Sequence, residues 1–356
     1  MHIWSDLRSV DLPALLLTLV LAAAGGLVAY AIGLPLGLLL GATVATGVAA
    51  AVGFRPLGRA IMVPPTLRFA FVPVIGVAIG GAFTPEVAQQ ALGWGWSLAA
   101  LCVFVPLSHV VGYAIYRTGG LPPMDAFFGA VPGGLIESVA LGEEAGADVR
   151  ILTALQFLRL ILTIISVPLV FWLLTGAPVG SSSGMAMTGA DVPLGLRDVL
   201  VLLVAGLAGV WLGGLARLPA AIMTGPILLS ALAHVTGLVE GVPPQWMIGV
   251  TQVVVGAGLG ARFSGINRAT LWRALKLAVV NAAAALLLAF GFAFALRDLL
   301  AQQVAAVFLA FAPGGLAEMS LIALSLQMSV IYVTVHHVLR IVIAVMVARI
   351  GARWVA

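Results

Sequence analysis

This sequence predicts an all-α polytopic membrane protein made of two inverted repeats, on three observations. Of its 356 residues, 62% are apolar and 8% charged, and the mean hydropathy is +1.18. Serial membrane-spanning helices have that balance and soluble globules do not. The chain divides into twelve apolar segments, six in each half. Finally, Pro-Gly-Gly-Leu-x-Glu occurs twice, as PGGLIE at 132–137 and PGGLAE at 313–318.

The segments of the first half run 13–32, 34–53, 66–83, 94–116, 124–146 and 150–174. Those of the second run 197–216, 218–237, 246–262, 274–296, 303–325 and 329–349. Arg8 followed by an apolar run and AAAGG resembles a secretory leader. An equivalent apolar stretch opens the second half at Val199–Leu215, so the first segment reads as a span. The runs GVAIGG (76–81), GVWLGG (209–214) and GAGLG (256–260) predict close helix packing. The fifth segment of each half carries the Pro-Gly-Gly. Proline removes a backbone donor and paired glycines cost conformational entropy, so this segment reads as a broken helix or a re-entrant hairpin. Non-helical backbone at membrane depth needs protein or a water-filled cavity around it.

An offset of 181 residues sets Phe127 on Phe308, Glu137 on Glu318, Thr153 on Thr334 and Arg159 on Arg340. Upstream the correspondence continues with small gaps, LPLGLLLGA (34–42) against LPAAIMTGP (218–226). The expected organisation is a first membrane repeat at 1–175, a Gly/Ser-rich linker at 176–196 and a second repeat at 197–356. Arg55, Arg59 and Arg68 follow the second segment, where the other half offers only Glu240. After the third segment the pattern reverses, with Glu86 in the first half and Arg262, Arg268, Arg273 and Lys276 in the second. Cytoplasmic loops collect Arg and Lys, so equivalent loops fall on opposite sides and the repeats are inverted. Each repeat then crosses an odd number of times: about five crossings plus the Pro-Gly-Gly segment. Both termini are expected in the cytoplasm and the linker outside.

Several function classes drop out. The 17 basic residues are scattered over short loops, which argues against nucleic acid. Cys102 stands alone, so there is neither a disulfide framework nor a thiolate metal site. His336 and His337 are adjacent and diverge by about 100° on a helix, too far to chelate one metal together. His109 and His234 read as satisfied helix residues, and Glu143, Glu144 and Asp148 as a solvated hairpin edge. No phosphate-binding loop, nucleophile elbow or metalloprotease motif is present. No catalytic residues, metal or cofactor are expected.

The residues left to carry chemistry surround the two breaks. They are Pro132, Gly133, Gly134 and Glu137, with Thr153, Gln156 and Arg159 at i, i+3 and i+6 of the next helix. The second half repeats them as Pro313, Gly314, Gly315, Glu318, Thr334, His337 and Arg340. Each glutamate lies in the first turn of the helix restarting after the glycines, where a carboxylate satisfies free N–H groups and the helix dipole. Each arginine lies about 15 Å inside its helix, out of easy reach of water. An Arg–Glu ion pair stitching helix to hairpin is one reading. A solute or ion site is the other, since facing broken helices build such sites in secondary transporters. Two helix N-termini and two arginines favour an anion, and a cation held by Glu137 and Glu318 is the alternative.

With paired PGGLxE motifs and a following polar-x-x-Arg helix in each half, the chain resembles the bacterial AbrB membrane-protein family over nearly its whole length. That family shares only its name with small DNA-binding transition-state regulators. Its members carry labels as ammonia monooxygenases or as regulators of gene expression. It is distantly similar to cation/proton antiporters and anion transporters with inverted repeats. The resemblance implies a multi-pass carrier of the bacterial inner membrane, working by alternating access on a small solute, with proton coupling and a homodimeric state compatible with it. A monooxygenase would need clustered redox-metal ligands that five histidines do not supply here. A regulator without a soluble domain would act most simply through the solute it moves.

Overall fold

The computed structural model describes residues 11–34, 36–83, 85–175, 192–300, 302–326 and 328–355. Most of the expected linker, 176–191, lies outside the described residues, as do residues 1–10. Every regular element described is helical. The first half supplies α1 (Leu12–Ala31), α2 (Gly37–Val52), α3 (Leu67–Gly80), α4 (Pro85–Ala91), α5 (Gly95–Thr118), α6 (Pro123–Gly129), α7 (Leu135–Glu144) and α8 (Val149–Thr175). The second supplies α9 (Leu196–Leu215), α10 (Ala221–Val235), α11 (Gln245–Ala261), α12 (Arg268–Ala295), α13 (Val304–Phe311), α14 (Leu316–Ser325) and α15 (Val330–Gly351).

Among the described residues six helical stretches are long and apolar enough to cross a membrane: Leu12–Ala31, Gln89–Thr118, Val149–Phe171, Leu196–Leu215, Arg268–Ala295 and Val330–Trp354. Each half contributes three. The second and third segments are shorter, with 16 and 14 residues in the first half and 15 and 17 in the second. The fifth segment of each half is two short helices of 7 and 10, or 8 and 10, residues on either side of the Pro-Gly-Gly. At about 1.5 Å per residue, none of those four reaches across a hydrocarbon core.

The helices gather into two compact units, and each unit draws on both halves of the sequence. The first comprises Met1–Pro85, Pro168–Gly265 and Leu324–Gln327. Within it α1 packs on α2 and α9 on α10, while α3 packs on α10 and α11 on α2. The third helix of each half thus lies on the second helix of the other. Small residues permit this. A Cβ on Gly76 would stand 2.8 Å from the Met223 carbonyl oxygen, and one on Gly256 would stand 2.5 Å from that of Leu39. On Gly209 it would stand 2.6 Å from Pro226 Cα. All three glycine runs therefore mark close backbone approaches, as their spacing predicts. Leu36 and Ala220, which precede α2 and α10, share a left-handed backbone with φ of 48° and 49°. Asp11 caps α1, accepting from Ala14 N at 3.2 Å, and Arg59 Nη1 donates to it at 2.6 Å. The hydrogen bond from Arg59 holds the Asp11 carboxyl below its ordinary pKa.

The second unit comprises Glu86–Val167, Ile266–Ala323 and Met328–Ala356. Here α5 packs on α6, α12 and α15, while α13 packs on α12 and α15. Phe104, Phe292 and Phe311 join three of these helices through ring contacts, with centroids 5.2–5.8 Å apart. Both broken segments and both polar-x-x-Arg turns belong to this unit.

Candidate functional site

Interrupting a helix inside a membrane protein leaves carbonyl oxygens without their N–H partners, and these must be met locally. After α6 they are met by α8. Gln156 Nε2 lies 3.0 Å from Phe128 O, 3.1 Å from Gly129 O and 3.3 Å from Val131 O. Arg159 Nη1 also donates to Val131 O. After α13 the same job falls to α15. His337 Nε2 lies 3.1 Å from Leu309 O, Arg340 Nη1 donates to Ala312 O, and Arg340 Nη2 donates to Gly314 O. Two of these pairings correspond under the same 181-residue offset, Gln156–Phe128 with His337–Leu309 and Arg159–Val131 with Arg340–Ala312. The end of each half-helix carries partial negative charge, which suits a guanidinium.

The two glutamates lie where the helices restart after their breaks. Glu137 lies in the first turn of α7, and a Cβ on Gly134 would come within 3.2 Å of its Oε2. Glu318 stands likewise in the first turn of α14, its Oε2 folded against Gly315. Each carboxylate thus covers the positive end of its own restarting helix. Gly134 has a φ of 61°, a conformation that favours glycine, whereas a Cβ on Gly133 would make only ordinary contacts at 3.5–3.6 Å.

Each break lies against the polar helix of the other half. Gly133 faces Arg340 Nε, Ile341 and Ala344, and Gly134 faces Ile341 and Val345. Gly315 in turn faces Leu160 on α8. Arg159 and Arg340 are both buried, 4% and 1% exposed. Pro132 and Pro313 are buried on the same segments. Thr334 bonds Ser320 at 2.9 Å. Thr153, half-buried, has Val139 at the corresponding position instead of a serine.

The other polar residues behave as side chains of ordinary helices. His109 Nε2 lies 2.9 Å from Phe127 O, and His234 Nδ1 lies 2.7 Å from Ser230 O. Glu143, Glu144 and Asp148 are exposed, and the Asp148 N–H donates to Asp125 Oδ1 at 2.9 Å. Among the described residues no three His, Cys, Asp or Glu side chains gather as a metal ion requires.

Two polar contacts near the site escape a motif-based reading. Asn281 Nδ2 donates to the buried Tyr116 hydroxyl at 3.0 Å, tying α12 to α5. His336 Nε2 lies 2.8 Å from Ser97 Oγ, tying α15 to α5. The lone asparagine in the run VVNAAAALLL was a visible signal for the first. Ser97 offered none, being one more small residue in an apolar helix.

A helical chain with this many apolar spans, and with paired breaks braced by buried arginines, is a polytopic membrane protein. It belongs to the AbrB family: the family described as "Transition state regulatory protein AbrB" matches residues 38–356. A relative in Escherichia coli strain K12, described as "Putative regulator AbrB", is 28% identical over 297 residues, 82% of either chain. "Uncharacterized protein YhjN" of Bacillus subtilis strain 168 is 24% identical over 284 residues, 76% of this chain and 74% of its own.

Proposed function

We propose that this protein is a secondary-transporter-like carrier that moves a small anionic solute across a bacterial inner membrane. It alternates access around its two broken segments and performs no chemistry on the solute. One observation supports this above the rest. Arg159 and Arg340 are buried, lie on equivalent turns, and each donates to a carbonyl freed at a break. Carbonyls of the breaks answer part of each guanidinium, but they carry no net negative charge. An anion between the two cations supplies it, and intramembrane ionisable residues commonly mark solute paths.

Uptake by the purified protein in liposomes, across small anions and with or without a pH gradient, tests the proposal. Anion uptake that disappears in Arg159→Gln and Arg340→Gln, both still folded, is the expected result. Uptake confined to cations, or undiminished in both variants, would overturn it. A second role draws on the name of the Escherichia coli relative: an effect on gene expression exerted through the level of the transported solute. It predicts that Arg340→Gln abolishes the regulatory effect together with transport.

A further inference from the structure

Among the described residues, four buried side-chain atoms on the helical turns bracing the two breaks have no hydrogen-bond partner: Gln156 Oε1, Arg159 Nε, His337 Nδ1 and Arg340 Nε. They form two matched sets, because Gln156 corresponds to His337 and Arg159 to Arg340 in the two halves. Each set lies on one helical turn, and Gln156 Nε2, Arg159 Nη1, His337 Nε2 and both Arg340 Nη atoms face carbonyls of the broken segments. Buried polar groups are almost always paired in folded proteins, so four unmet ones in a repeated arrangement point to a missing companion.

The chemistry of that companion can be read atom by atom. Both arginine Nε groups are donors only, so each calls for an acceptor. The nitrogen of the Gln156 amide faces three carbonyls, which fixes its other end as oxygen, an acceptor that calls for a donor. His337 Nε2 faces the Leu309 carbonyl and therefore carries a hydrogen. In the neutral ring that leaves Nδ1 as an acceptor, again calling for a donor. A halide or a simple carboxylate would meet the arginines and leave Gln156 and His337 unmet. A metal cation would meet neither arginine.

We infer that the solute is a small oxyanion that carries O–H or N–H donors of its own. Its charged oxygens lie on Arg159 and Arg340, and its donors on Gln156 and His337. The inference rests on the anion-carrier proposal and narrows it to a solute class.

Propionate, racemic lactate and racemic glycerate test this. They share three carbons and one negative charge, and offer no hydroxyl, one hydroxyl and two hydroxyls. Their binding to the purified full-length protein in detergent is measured by calorimetry. Affinity should rise about fivefold with each added hydroxyl, the usual worth of one neutral hydrogen bond. In His337→Leu the gain from lactate to glycerate should vanish. In His337→Gln, which places the first half's residue at the equivalent position, the gain should survive. Should His337→Leu fail to fold, the three ligands on the unaltered protein still decide the matter. Equal, measurable affinities would overturn the donor requirement while leaving an anion carrier standing. Binding of none of the three would overturn the solute class, and the uptake assay would then judge the carrier separately.

Discussion

Replacing each arginine by methionine should destabilise the two halves unequally. Methionine keeps most of the length of the side chain and removes both charge and donors. Arg340 donates through two nitrogens to two carbonyls, Ala312 O and Gly314 O, on either side of Pro313. Hydrogen bonds to charged groups contribute about 1.5–3 kcal/mol each, so Arg340→Met should cost roughly 3–6 kcal/mol. Arg159 donates through one nitrogen to Val131 O, which keeps Gln156 within 3.3 Å after the substitution. Arg159→Met should therefore cost roughly 1.5–3 kcal/mol, about half as much. Reversible unfolding in mixed micelles, followed by circular dichroism against denaturing detergent, measures both. Bracing of the break also predicts that adding Glu318→Gln to Arg340→Met recovers nothing. An Arg159→Met variant as unstable as Arg340→Met, or a double variant more stable than Arg340→Met alone, would refute the bracing role.

Other outcomes follow from single contacts. Glu137→Gln keeps an oxygen that can accept over the start of α7, so folded stability should fall by under about 1 kcal/mol in the same unfolding assay. Gly134→Ala forces a side chain into a left-handed backbone and should cost about 1–2 kcal/mol, whereas Gly133→Ala should be neutral or stabilising by up to about 1 kcal/mol. Ala220→Gly relieves the left-handed residue ahead of α10 and should raise the unfolding midpoint, a gain of up to about 1 kcal/mol. On a Cys102→Ser background, impermeant thiol labelling should reach Gln90→Cys and Ser264→Cys from opposite faces of the membrane. Labelling of both from one face would end the inverted-repeat topology.

Much of the helical layout was legible because apolar runs and proline–glycine interruptions are properties of the residues themselves. The Pro132 and Pro313 breaks fall where the motif puts them, and the glycine runs at 76–81, 209–214 and 256–260 mark close approaches. The partners of the arginines were harder to read. Opposite charge nominates Glu137 and Glu318, but a carbonyl freed by a broken helix is an equally good acceptor and has no signature in the sequence. It becomes visible only once the position of the break relative to Arg159 and Arg340 is known. Gln156 and His337 were legible as a pair by position, although their shared task, donating to a freed carbonyl, was hidden by their different chemistry. The surroundings of Gly133 have room for a methyl group, which its motif does not reveal. The grouping of helices was also hidden, since periodicity reports which face of a helix is apolar and not which helix will cover it.

The exchange of helices between halves has a consequence for biosynthesis. A chain leaves the ribosome from its N-terminus, and when the first half has been inserted, α3 still awaits α10 and α2 still awaits α11. Gly133 and Gly134 wait longer still, until Ile341, Ala344 and Val345 on the last long helix have been made. Quality-control proteases therefore meet incomplete units until α15 has been made. A half-length ancestor would have faced the same shortage permanently. It could have completed either unit only by meeting a second copy of itself.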